Sequence, residues 1–166
     1  DYLDHMHRLY ERTNDQFGPW AARYLNREFF HILKDVSKEN ILFSVAHENG
    51  SGNDPLALAL LLKSENFLIG RYWGSYAYRD ALHFNTCYYA PIEYAIEHSI
   101  RNFDPGMGSP HKIRRGFKAM PNFSLHRFYD KELHAVFHFN IEKLNGMTEE
   151  EINQLNTGLP FKNILS

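Results

Sequence analysis

The sequence holds a single cysteine, Cys87, in 166 residues, which excludes an intramolecular disulfide framework and fits a reducing, cytoplasmic setting. Long apolar runs are lacking as well. No stretch approaches the length needed to cross a bilayer, and the start has no basic, then apolar, then small-residue signal pattern. Charge of one sign is also scarce: 18 Lys and Arg stand against 20 Asp and Glu, a formal net charge of -2. No global field therefore recruits nucleic acid or anionic lipid, and any such binding must come from a local patch. No Gly-Lys-Ser or Gly-Lys-Thr phosphate loop occurs, and Gly106-Met107-Gly108 is too short for a dinucleotide fingerprint. The ten histidines are scattered. Only His5 with His7 and His134 with His138 lie close, with no Cys or carboxylate at a metal-ligand spacing, so no metal is expected. Cys87 follows His83 by four residues, but no nucleophile signature surrounds it, and a packed thiol is the simpler reading.

What is present suits one folded domain: 43% hydrophobic residues, with ten Tyr and thirteen Phe, enough aromatics to line a pocket or interface as well as a core. The chain begins at Asp1 without methionine, as a processed product or a piece of something longer would. Tyr2, Leu3, Met6, Leu9 and Tyr10 recur at helical spacing and predict an amphipathic helix ending near Asn14 to Gly18. A second helix follows with Asn26 as N-cap and Leu25, Phe29, Ile32, Leu33 and Val36 as its apolar face. Ile41 to His47, Leu56 to Leu62 and Phe67 to Gly74, separated by turn formers, predict an antiparallel meander. Strict alternation in the third strand puts Phe67, Ile69, Arg71 and Trp73 on one face and Leu68, Gly70, Tyr72 and Gly74 on the other.

Tyr76 to Asn85 is read as a connection or fourth strand, with His83 and Asn85 sharing a side. Tyr88, Ile92, Ala95, Ile96 and Ile100 mark the face of a third helix with Pro91 near its start, and Arg101 to Asp104 returns to the sheet as a parallel strand. Asn122 to Tyr129 alternates like a last strand. Lys131 to Asn145 supports both periods, and Thr148 with Glu151 has the form of a capping box for a helix running to about Asn156. The domain reading is a core over residues 1–130 and a helical extension over 131–166 packed on the same domain.

The stretch that gathers chemistry is Phe103 to Phe117, FDPGMGSPHKIRRGF. Its three glycines and two prolines prevent a continuous helix or strand, and Lys112, Arg114 and Arg115 stand beside them. Glycine backbone approaches a ligand closely, and cations beside it suit phosphate or carboxylate. Asp104 would brace the turn.

Helix, helix, three antiparallel strands, helix, parallel strand resembles the acetyltransferase-like (GNAT) fold, an α+β architecture with a mixed, mostly antiparallel sheet and helices on both faces. The pyrophosphate-loop pattern of its acyl-CoA enzymes is missing here. GRYWG (70–74), LHFNTCYYAPIEYAIEHSI (82–100), FDPGMG (103–108) and HKIRRGF (111–117) closely resemble the FemAB-like family of peptidoglycan biosynthesis or recognition proteins, over roughly residues 1–130. Pro110 stands where that family commonly has an acidic residue. The resemblance implies a chain similar to the C-terminal half of a full member, whose N-terminal GNAT-like half would be a partner.

It also implies transfer of an aminoacyl or acyl group from aminoacyl-tRNA or acyl-CoA to a cell-wall precursor or other amine acceptor. A non-catalytic module recognising such a precursor and an acyl-CoA-dependent N-acetyltransferase are the alternatives. By position, the resemblance points to Gly106, Gly108, His111, Lys112, Arg115 and Gly116. Lys112, His111 and His83 are the expected catalytic groups, since an attacking amine must lose a proton and an oxyanion must be stabilised. Tyr72, Trp73, Asn85, Tyr88, Tyr89 and Asp104 complete the expected substrate contacts.

Overall fold

The structure is a computed structural model, and it describes residues 1–21, 23–48, 50, 54–107 and 110–161. The fold is α+β, and the chain divides into two compact units, Asp1–Gly106 and Met107–Ser166.

In the first unit, α1 (Tyr2–Asp15) starts on the Asp1 carboxylate, which accepts from the Leu3 amide, and buries Leu3, Met6, Leu9 and Tyr10. Helix α2 (Arg27–Ser37) is capped as its sequence predicts, the Asn26 side chain accepting from the Phe29 amide at 2.9 Å. Its inward face differs in part from the expectation: Leu25 and Leu33 pack on the core as expected. Phe30 is the buried residue, set against the rings of Tyr10 and Tyr72, whereas Phe29, Ile32 and Val36 are exposed. Apolar residues cover so much of this helix that spacing permits either face, and the fit of Phe30 between α1 and the sheet decides.

Strands β1 (Ile41–His47), β2 (Pro55–Lys63) and β3 (Phe67–Ser75) form the antiparallel meander, and β4 (Asn102–Asp104) adds parallel to β3, giving the order β1-β2-β3-β4. One core cluster joins Leu58 and Leu60 to α1 and α2; another, on the opposite face, joins Ala59, Leu61 and Leu68 to Ala95. Helices therefore cover both faces.

Strict alternation fails in β3. The β2–β3 register runs Leu60 opposite Tyr72 and then Leu61 opposite Gly70, so Arg71 is an extra residue, a β-bulge. Beyond it every side chain changes face: Leu68 and Trp73 share one cluster, and Tyr72 belongs to the other. Gly70 and Gly74 thus thin opposite faces. A Cβ at Gly74 would lie 2.6 Å from the Leu9 Cβ, so this glycine lets α1 lie directly on the strand.

No fourth antiparallel strand follows β3. After a left-handed Ala81 (φ 58°) the chain is helical as α3 (Leu82–Phe84), a π-helical turn (Asn85–Tyr89) and α4 (Ala90–Glu97). Pro91 has no N–H to donate to the preceding turn, and the adjacent Ala90 amide reaches back five residues to the Asn85 carbonyl. The wide turn shifts the helical phase. Tyr88 and Ala95 face inward as expected and are joined by Thr86 and Pro91, whereas Ile96 is 73% exposed, against the straight-helix expectation.

In the second unit, α5 (Pro110–Ile113) is a single turn and α6 (Lys131–Asn156) is one helix capped by Asp130, whose carboxylate accepts from the Leu133 amide. Thr148 does not open a helix. It lies inside α6 with its hydroxyl on the Leu144 carbonyl, so the capping-box pattern is fortuitous, while the end at Asn156 is as expected. Residues 122–129 form no strand, because alternation alone supplies no partner edge; Phe128 instead packs on Phe137 of α6 at 4.8 Å. No helix among the described residues is long and apolar enough to cross a membrane.

Candidate functional site

In the first unit two of the predicted residues, Asp104 and Gly106, lie where β3 and β4 part. Their parallel pairing covers Phe67 to Ile69 against Asn102 to Asp104, after which β3 runs on to Ser75 while the other chain turns away at Pro105. Among the described residues, no strand continues past that point on the edge of β3 opposite β2. Gly70 and Gly106 meet there: a Cβ on Gly70 would touch the Pro105 carbonyl at 3.4 Å, and one on Gly106 would lie 3.1 Å from the Gly70 oxygen. Gly106 has φ +83°, and its amide donates to the Asp104 carboxylate at 2.8 Å, so Asp104 does brace a turn that only glycine enters without strain.

Trp73, on the freed part of β3, contacts His83 edge-on with centroids 4.9 Å apart, and His83 also meets Tyr88 at 5.3 Å and Phe84 at 5.5 Å. His83 is half-buried and walled by aromatic rings. Phe84 was not among the sequence candidates; its stacking on Tyr88 is the reason it belongs with them, and only the helical conformation after Ala81 makes that contact. Cys87 is half-buried and packs on the second core cluster, as a structural thiol does.

Not every candidate joins this group at an open surface. Tyr72 is on the opposite face of the sheet against Tyr10 and Phe30, because of the bulge at Arg71. Tyr88 is 2% exposed and serves the packing, whereas Asn85 and Tyr89 are at the surface. The four aromatics Tyr72, Trp73, Tyr88 and Tyr89 therefore share no common platform. Gly108 lies outside the described residues.

In the second unit, His111, Lys112 and Arg115 occupy α5 and the turn after it. Lys112 Nζ donates to the Met107 carbonyl at 2.6 Å, and Arg115 donates to the His111 carbonyl at 2.8 Å. Burial, then the Arg115 and Lys112 charges, hold the His111 imidazole below its ordinary pKa, so near neutral pH it is an uncharged base beside two cations. Gly116, at φ +89°, closes the turn, and a Cβ there would strike the Phe161 ring at 2.6 Å.

The end of α6 holds this segment: Asn156 accepts from the Ala119 amide at 2.8 Å and donates to the Ala119 carbonyl at 3.0 Å. Neither Asn156 nor Phe161 carries a local sequence signal, since their partners are 37 and 45 residues away. Among the described residues no group of three His, Cys, Asp or Glu side chains is disposed to hold a metal ion.

No curated protein and no solved structure matches the chain. A family model, described as FemAB-like, peptidoglycan biosynthesis/recognition, matches residues 1–163, extending past the resemblance read over 1–130 to take in α6. The glycine turn, the aromatic-walled histidine and the basic turn all fall within the matched residues, and the chain belongs to the FemAB-like family of peptidoglycan biosynthesis or recognition proteins.

Proposed function

We propose that the chain is an acyltransferase domain that moves an aminoacyl group, carried as an ester on tRNA, onto an amine of a cell-wall peptide precursor. The family match over residues 1–163 is the observation that carries this reading. One feature favours transfer over binding alone: an imidazole kept neutral beside two cations suits proton removal and oxyanion stabilisation. The element order, two helices, three antiparallel strands, a helix and a parallel strand, resembles that of acetyltransferase-like domains, and this resemblance supports acyl transfer as the reaction type.

In the reaction, the amine nitrogen attacks the ester carbonyl carbon and forms a tetrahedral oxyanion. The carbon–oxygen bond to the donor then breaks, and the donor alcohol leaves with a proton. His111 takes the proton lost by the amine, and Lys112 and Arg115 stabilise the oxyanion or hold donor phosphate. Taken by itself, the first unit offers His83 with Trp73, and Asp104 to Gly106 beside Gly70, as candidate ligand contacts. Non-catalytic recognition is the second reading, favoured by the family description, which covers recognition as well as biosynthesis.

The test is transfer of a labelled amino acid from aminoacyl-tRNA to a nucleotide-linked muropeptide, with acetyl-CoA as the competing donor. Transfer from the tRNA, lowered about 100-fold in Lys112→Ala with an unchanged melting midpoint, is expected. Unchanged turnover in that variant removes Lys112 from the mechanism. Muropeptide binding without transfer selects the recognition reading, and acetyl transfer alone selects an N-acetyltransferase.

A further inference from the structure

His134 and His138 are the one pair of histidines four residues apart in the sequence, and both lie in α6. Four residues is just over one turn, so the two rings leave the same side of the helix, with centroids 6.4 Å apart. The helix is regular where they stand: Asp130 caps it, and the His134 amide donates to the Asp130 carbonyl at 3.0 Å. Both side chains are exposed, and among the described residues no hydrogen bond or ion pair engages either ring. Their nitrogens are therefore uncommitted, and each ring is free to turn about its χ angles toward the other.

Two imidazoles on adjacent turns of one helix face are a bidentate donor set. Bonds of about 2.0–2.1 Å to one ion bring two ring nitrogens to roughly 3 Å from each other. Side chains on adjacent turns reach that separation by rotation alone, since their Cβ atoms are about 5–6 Å apart. Imidazole suits late transition metals, whereas magnesium and calcium take oxygen ligands. Asp130 and Glu142 continue the four-residue spacing on either side, and their charges outweigh that of Lys131 on the same face, so the local field favours a cation.

The lack of a third protein ligand among the described residues excludes a closed structural centre; it is compatible with an open chelate whose remaining positions water fills. We propose that His134 and His138 together bind one divalent late transition-metal ion of the zinc type, pinning the first turns of α6.

Titration of the full chain with Zn2+ alone, followed through the histidine ring signals in NMR, tests this. His134 and His138 should shift together and saturate at one ion per pair before any other histidine responds, and Mg2+ should shift neither. Exchanging two neighbours, His138→Phe with Phe139→His, keeps the number of histidines but moves the second ring off the shared face. The joint response should be lost in that variant, as it should in His134→Ala. All three positions are exposed, and an unchanged melting midpoint without metal checks that each variant keeps its fold. Zn2+ that engages other histidines first, that leaves the two ring signals unmoved, or that binds the exchanged variant as tightly as the wild type overturns the proposal. The wild-type titration decides the first two outcomes whatever the variants do.

Discussion

At the scale of single residues, glycines separate sharply by what surrounds them. Gly74 lies under α1, with 2.6 Å between its virtual Cβ and the Leu9 Cβ, while Gly146 sits in α6 with nothing within 4 Å. Gly74→Ala should cost about 1–3 kcal/mol through overpacking and lower the melting midpoint by roughly 2–12 °C. Gly146→Ala should instead stabilise by about 0.5–1 kcal/mol, because alanine has the higher helix propensity. Thermal denaturation of the two variants checks the contrast, and equal shifts of the same sign would refute it.

His111 makes a second residue-scale prediction. Its folded-state pKa lies below the unfolded value of about 6.5, so at and below that pH the unfolded chain binds the extra proton more readily. Stability should therefore be full above about pH 6.5 and fall as pH drops through and beneath that value. In His111→Gln this part of the pH dependence should vanish, measured by urea denaturation at stepped pH. Residue identity was legible where a signal is local. Asn26 is a cap because its carboxamide reaches an amide three residues on, whereas choosing Phe30 over Phe29 as the buried ring required the Tyr10 and Tyr72 rings it meets.

Elements were legible by period wherever the period holds without interruption. The first two helices, the three-strand meander and the returning parallel strand follow from apolar spacing and turn residues. Two insertions defeated the same reasoning: the extra residue at Arg71 reverses faces within β3, and the wide turn at Asn85–Tyr89 rotates the helical face after it. Both adjust phase by a single residue, which composition does not register.

The strand expected at Asn122 to Tyr129 failed for a different reason, since a strand is completed by a neighbour and not by its own alternation. That segment is attached to α6 through side chains instead, and Asn156 is its firmest tie. Asn156→Ala removes both bonds to Ala119 and should cost about 1–3 kcal/mol, with faster hydrogen exchange at the Ala119 amide. An Ala119 amide that exchanges at the wild-type rate would show that this tie does not hold the segment.

On the scale of the whole molecule, the near-neutral charge means that any nucleic-acid donor must be held by a few cations, with Lys112, Arg114 and Arg115 the densest group. The sequence by itself determined the α+β class, the order of elements through β4 and the family. Those rest on spacing between near neighbours and on motifs carried within short stretches, and the match over residues 1–163 agrees with them. Only the tertiary structure decided which candidates stand together. Trp73 and His83 meet while Tyr72 lies across the sheet, and Gly70 receives Gly106 from a turn more than thirty residues later. The physical reason is that alternation and helical phase are relative quantities: one bulge or one wide turn resets them, and the contacts that select those resets join residues far apart in the chain.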